Sequence, residues 1–240
     1  MAETHFRPNH YKWVIIKNRR YDALRRDHEG YGGFQDIDQV EADARNVRKG
    51  IMGLGARRMD IVEIEDSDFK AFSQTISDLR HTIVDNWNRG RQKTFVFVYY
   101  AGHGIMNNTT YAVCNEAVKR TKIRYPLEMN LRSLGTERGG YVMAIFDCCR
   151  ERLSDAMRGG GDPPEDNLDM DMDDYVNYIF WFGCPPNSGV SASSTIAVDF
   201  FKQLKRVARP HDGSVVLPLD LMTWHPGDDG EMQQKYKHTL

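Results

Sequence analysis

Two apolar runs, each stopping abruptly at a polar, reactive group, constrain this chain more than any other feature. The first is Phe95, Val96, Phe97, Val98, Tyr99 and Tyr100, followed by Ala101-Gly102-His103-Gly104. The second is Val142, Met143, Ala144, Ile145 and Phe146, followed by Asp147-Cys148-Cys149-Arg150. Short continuous apolar runs of this kind read as buried strands. Buried strands belong to parallel sheets covered on both faces. Open α/β sheets carry their chemistry just beyond the carboxyl ends of such strands. One end here offers an imidazole between two glycines, and the other offers a thiol. A cysteine nucleophile with a histidine partner is the chemistry these residue types suggest.

The rest of the chain alternates between strand and helix patterns. Residues 13–17 form a short β-branched run, a first strand. Val40, Ala44, Val47 and Ile51 then recur at helical spacing, with Asp38 and Glu41 placed for a capping box and Gly53 or Gly55 for the end. Residues 59–63 read as a second strand. Phe69, Phe72, Ile76, Leu79 and Ile83 mark one face of a long helix that ends at 88–90. Residues 94–100 are the third strand, and 111–114 a small side strand. Pro126 opens a helix carrying Leu127, Leu131 and Leu134. Residues 141–146 and 175–183 are the fourth and fifth strands. Ile196, Phe200, Leu204 and Val207 mark a last helix, while Leu217, Leu221 and Trp224 fit either a helix or a strand. The repeated βα pattern predicts an α/β fold with a mostly parallel sheet and helices on both faces.

One segment departs from this pattern. Residues 154–174 hold Gly159-Gly160-Gly161, Pro163-Pro164 and eight acids against a single arginine, Arg158. Such a composition cannot bury enough apolar surface to order itself. It reads as a flexible acidic linker inside one domain of 240 residues, between a larger part (11–153) and a smaller part (175–229), with a tail at 230–240. The net charge of −2 points to neither nucleic acid nor a membrane surface. No apolar stretch is long enough to span a bilayer. Four cysteines, two of them adjacent, do not form a secreted disulfide framework, so a reducing, cytoplasmic setting is expected. No ligand array with metal spacing is present, so no metal site is assigned.

The two motifs together resemble the caspase-like cysteine proteases. Tyr99-Tyr100-Ala101-Gly102-His103-Gly104, with Asp147 two residues ahead of Cys149, is most similar to the paracaspase and metacaspase branch. The caspase signature is Gln-Ala-Cys-Arg-Gly with a histidine about 50 residues upstream. Here His103 lies 46 residues ahead of Cys149, and Asp147 stands where that signature has glutamine. The element order matches the family from about Tyr11 to Trp224. The resemblance implies a three-layer sandwich around a mostly parallel sheet of about six strands. The sequence begins almost directly at the first strand, so no sizeable recruitment segment is expected.

It also implies the roles. Cys149 matches the nucleophile, because the family places it second after the Asp or Gln and before Arg. Strand alternation turns Cys148 to the opposite face, as a small buried hydrophobe. His103 is then the acid–base partner, and the N–H groups of Gly104 and Cys149 form the oxyanion hole. A backbone carbonyl is the candidate for orienting His103. In paracaspases and metacaspases an acidic S1 pocket accepts arginine or lysine. Asp147 and Asp43 match two of its acids, while Cys184-Pro185-Pro186-Asn187-Ser188 lacks the third. Cleavage after Arg, or Lys, is expected.

The linker lies where such proteins are cut, and Arg158 ahead of three glycines is the candidate self-cleavage site. Asp166, Asp169, Asp171, Asp173 and Asp174 are a candidate Ca²⁺ site, although the regular EF-hand spacing is missing. No cofactor is otherwise required. The expected partners are protein or peptide substrates, with a homodimer left open by the family. The alternative is a catalytically silent caspase-like scaffold. A vicinal-dithiol redox protein is weakened by the lack of Cys-X-X-Cys.

Overall fold

A computed structural model describes residues 5–6, 8–21, 34–107, 109–115, 124–150, 177–184, 201, 217–218 and 231–236. In chain order the first elements are β1 (His5–Phe6), β2 (His10–Lys17), α1 (Gln39–Gly53), β3 (Ile61–Glu65), α2 (Phe69–Gly90) and β4 (Thr94–Ala101). They are followed by β5 (Gly104–Asn107), β6 (Thr109–Val113), β7 (Arg124–Tyr125), α3 (Leu127–Gly135) and β8 (Gly140–Asp147). β9 (Asn177–Phe182), β10 (Leu217–Pro218) and β11 (Glu231–Tyr236) complete the set.

The main sheet has six strands in the order β11-β9-β8-β4-β2-β3. All its pairs are parallel except β11 with β9. β4 lies inside the sheet between β8 and β2, and every one of its positions is buried. That is why its sequence is an unbroken apolar run rather than an alternating one. Its odd positions, with Trp13, Ile15 and Ile145, pack against Val40, Ala44, Val47 and Ile51 of α1. Its even positions, with Val14, Ile16 and Phe146, pack against Phe72, Ile76 and Ile83 of α2 and Leu127 and Leu131 of α3. Helices therefore cover both faces, giving the three layers expected. Each fully buried side chain of this size contributes about 1.5–3 kcal/mol.

The helix ends follow from local chemistry. Asp68 caps α2, its Oδ1 accepting from the Ala71 N–H at 2.6 Å, and Arg91 closes the helix in the left-handed region. The sequence pattern located this helix closely. At α1 the expected capping box is absent: Asp38 makes no side-chain cap bond. The Glu41 carboxylate instead accepts from Lys17 Nζ at 2.8 Å, because a buried ammonium on β2 needs a counter-charge more than an exposed helix end needs a cap. Gly50 of α1 lies against Phe201; a Cβ there would fall 2.4 Å from that ring, so only glycine lets the helix approach.

Three boundaries differ from the sequence reading. Met59 is exposed in a short 3₁₀ turn (Arg58–Asp60), and the strand begins two residues later at Ile61. The side strand at 111–114 belongs to a three-stranded antiparallel sheet, β5-β6-β7, that starts at Gly104. Residues 231–236, read as tail, form the antiparallel edge strand β11, in register from Glu231 opposite Phe182 to Tyr236 opposite Asn177. Leu217 is in the two-residue strand β10, which pairs with β1. The linker at 154–174 with Arg158, its acidic run, and the helix at 196–207 apart from Phe201 lie outside the described residues. Among the described residues, no helix is long and apolar enough to cross a membrane.

Candidate active site

Adjacent strands bring the histidine and cysteine loops side by side. β4 and β8 are parallel neighbours whose last residues, Ala101 and Asp147, are register partners. His103 follows two residues after the first and Cys149 two residues after the second. The loops they sit on touch. A Cβ built on Gly104 would fall 2.3 Å from the Cys149 carbonyl oxygen and 2.6 Å from Cys148 Sγ. Glycine is required there because the histidine loop lies directly against the cysteine backbone. At Gly102 a Cβ would meet the Tyr21 and Tyr100 hydroxyls at 2.7 and 2.8 Å. Both glycines of the histidine motif are thus explained by close approach.

The histidine is held at every polar atom of its backbone. Its N–H donates to the Tyr21 hydroxyl at 2.9 Å. Its carbonyl accepts from the Tyr100 hydroxyl at 2.6 Å and from the Val113 N–H at 3.0 Å. The ring packs against both Tyr21 and Phe34, with centroids 4.7 and 4.9 Å away. Nε2 is 2.8 Å from the Gln35 carbonyl oxygen. A carbonyl can only accept, so Nε2 carries the proton and Nδ1 holds the lone pair in the neutral ring. Burial lowers the imidazole below the usual histidine range, against the opposing pull of the Gln35 carbonyl and the Asp36 charge. A neutral, oriented imidazole at neutral pH is what a general base needs.

The adjacent cysteines separate as alternation predicts. Cys148 is 1% exposed and lies in the core beneath α2 and α3. Burial, followed by the neighbouring Cys184 and Asp147, raises its thiol well above the ordinary range, so it stays protonated and inert. Cys149 is half-buried. The next residue, Arg150, is fully buried, with its guanidinium 3.9 Å from the centroid of Phe182. This cation–π contact fixes the backbone just after Cys149.

Asp147 is anchored by a buried hydroxyl. Tyr99, two residues before Ala101 and on the face covered by α1, donates to Asp147 Oδ2 at 2.9 Å. Burial, then the charges of Asp147 and Asp43, push the Tyr99 phenol well above its ordinary range. Burial also raises the Asp43 carboxyl, although Gln39 donates to its Oδ1 at 3.1 Å. Glu41, on the same helix, pairs with Lys17, an ammonium it shares with Glu63 and Glu65. Among the described residues no group of three His, Cys, Asp or Glu side chains is arranged to hold a metal ion.

Sequence reading gave no site role to Tyr21, Gln35 or Tyr99. Gln35 acts through its carbonyl, which every residue has, so its identity carries no signal. Tyr21 has one in principle: a hydroxyl buried at 0% exposure must find partners, and here they are His103 N–H and, as acceptor, the Asn18 carbonyl at 3.0 Å. Asn18 is in turn tied to Ser67 and Val113, and Asp66 Oδ1 accepts from the N–H groups of Arg19 and Arg20 at 2.8 Å each. Tyr21→Phe is expected to strand the His103 N–H and cost about 1–3 kcal/mol of stability by chemical denaturation. As a positioning change it should also lower kcat more than it raises KM; an unchanged kcat would show that Tyr21 supports only the fold.

A family model described as a caspase domain matches residues 12–223. Among solved structures, caspase-1 from Spodoptera frugiperda aligns with a TM-score of 0.52 at 10% identity, over 85% of this chain and 72% of that one. Raptor from Chaetomium thermophilum aligns at 0.37 and 9% identity, over 86% of this chain and 19% of that one. No curated protein matches the sequence.

Proposed function

The chain belongs to the caspase domain family, and from that premise we propose that it is a cysteine endopeptidase acting through Cys149 and His103. The observation that carries this reading is the contact of Gly104 with the Cys149 carbonyl, which joins the histidine and cysteine loops at the ends of β4 and β8. His103 Nδ1 takes the Cys149 proton as sulfur attacks the scissile carbonyl carbon. The N–H groups of Gly104 and Cys149 receive the developing oxyanion, a contribution of about 2.7–4 kcal/mol per donor. The imidazolium then protonates the departing amine, and water attacks the thioester to release the acid. The Gln35 carbonyl keeps the ring in the tautomer this sequence needs.

Arginine, or lysine, is the proposed residue before the cleaved bond. Asp147 accepts from one buried hydroxyl on the face that α1 covers, and the Asp43 charge, carried by α1, acts on the same phenol. A guanidinium pairs with such acids through two parallel bonds. Self-processing after Arg158 belongs to the same proposal, with wild-type and Cys149→Ala intact masses diverging on incubation.

The test is a panel of fluorogenic peptides ending in Arg, Lys or Asp. Turnover of the Arg and Lys peptides, and loss of the former by on the order of 100-fold in Asp147→Asn, is expected from removing a charge partner in a mostly buried site. Cleavage after Asp alone would overturn the assignment. Labelling of Cys149 without turnover of any peptide would favour a silent scaffold.

A further inference from the structure

Two stretches of chain grip His103, and one carboxylate joins them. The first, residues 18–21, follows β2. Its Tyr21 hydroxyl accepts from the His103 N–H at 2.9 Å, and its Tyr21 ring lies 4.7 Å from the imidazole. The second, residues 34–37, precedes α1. Phe34 packs against the imidazole at 4.9 Å, and the Gln35 carbonyl oxygen is 2.8 Å from Nε2. Asp36 Oδ1 accepts from the Tyr21 N–H at 3.0 Å, and the Ile37 N–H donates to the Arg19 carbonyl at 3.0 Å. Asp36 thus follows directly after the carbonyl that holds the ring, and its side chain is bonded to the residue that holds the His103 backbone. The Gln35 carbonyl lies in the planar peptide that Asp36 completes, so displacing Asp36 turns that oxygen.

We propose that Asp36 is a positioning residue for His103: its carboxylate locks the Gln35 carbonyl onto Nε2 and favours the imidazolium that forms when Cys149 passes its proton to Nδ1. The inference deepens the role proposed above for His103 and rests on that reading for its purpose. Two effects are involved. The bond to Tyr21 fixes where the Gln35 oxygen sits, and so which ring nitrogen carries the proton. The negative charge sets how readily the ring takes a second proton, as a carboxylate does behind an acid–base histidine elsewhere. Burial lowers the imidazole, and the Gln35 carbonyl and then the Asp36 charge oppose that lowering.

The other ionisable groups around the ring do not duplicate this role. Burial raises the Tyr21 and Tyr100 phenols far above their ordinary range, so both stay neutral. Asp38 lies 3.9 Å from the Arg19 guanidinium, and Asp66 Oδ1 accepts from the backbone N–H groups of Arg19 and Arg20. Arg20 is exposed. The neighbouring loop brings the protonated Cys148 thiol and Cys149, the proposed proton donor. Asp36 is exposed as well, so salt screens its charge, whereas its hydrogen bond to Tyr21 is a short contact that salt leaves in place.

The experiment titrates the imidazole itself. The full chain carrying Cys149→Ala, which removes the thiol proposed to share a proton with His103, is labelled with nitrogen-15 in its histidines. The His103 ring signals are assigned by their loss in His103→Gln. The neutral ring of this parent should carry its proton on Nε2. Asp36→Asn keeps an accepting oxygen but removes the charge, so the same tautomer should persist with its titration midpoint at lower pH, and the difference should shrink at high salt. Asp36→Ala removes both, so the midpoint should fall and the Nδ1–H form should appear. With Cys149 present, Asp36→Ala should lower kcat for an arginine-terminated peptide by on the order of 10-fold while KM holds, a split that lost stability alone does not produce. An unmoved His103 midpoint in Asp36→Asn, or an unchanged tautomer in a folded Asp36→Ala, would overturn the proposal. If Asp36→Ala does not fold, Asp36→Asn decides alone. The expected ring signals without peptide hydrolysis by the unaltered chain would count against the protease reading and not against this one.

Discussion

Cys149→Ala is expected to lower kcat/KM for an arginine-terminated peptide by on the order of 10⁴–10⁶-fold, the scale seen when a nucleophile acting in a unit is removed. The neighbouring Cys148→Ala is expected to behave quite differently. Cys148 is 1% exposed beneath α2 and α3, so its loss removes packing and costs about 1 kcal/mol of stability. The two variants differ by one position in sequence and separate chemistry from packing. Measuring kcat/KM beside denaturant midpoints distinguishes them. An active Cys149→Ala with an inactive, well-folded Cys148→Ala would reverse the assignment of the nucleophile.

Gly104→Ala should be nearly as damaging without touching either reactive group. Its Cβ would fall 2.3 Å from the Cys149 carbonyl oxygen and 2.6 Å from Cys148 Sγ. A backbone carbonyl cannot swing aside as a side-chain tip can, so the two loops must part. Separation by about 1 Å costs on the order of 100-fold in rate when groups must be aligned for reaction. Gly90→Ala is the control. The nearest atom to its Cβ would be Gln92 Cγ at 3.8 Å, an ordinary contact, and alanine in a helix is favourable by up to about 1 kcal/mol. Equal activity of both variants would show that the loops do not depend on this contact.

Legibility in the sequence followed physical lines. β4 and β8 were readable because strands buried on both faces must be apolar throughout, and α2 because one face repeats at helical spacing from Phe69 to Ile83. The choice of Cys149 over Cys148 came from the family resemblance, and alternation added only that one of the two can face the cleft. β11 was not readable: Glu231, Gln233, Gln234 and Lys235 carry no apolar period, and the strand exists through backbone pairing with β9. The Glu41–Lys17 pair was hidden for a related reason, since a local capping pattern said nothing of an ammonium 24 residues earlier. The carbonyl holding His103 was expected in kind, but its owner, Gln35, could come only from the path of the chain.

The most direct test is the rate of covalent labelling by an arginine-terminated fluoromethyl ketone in wild type and His103→Ala. If His103 and Cys149 act across one groove, a single label should attach to Cys149, and the variant should react on the order of 100-fold more slowly or worse. Equal rates in the two proteins, or attachment to Cys148, would contradict it.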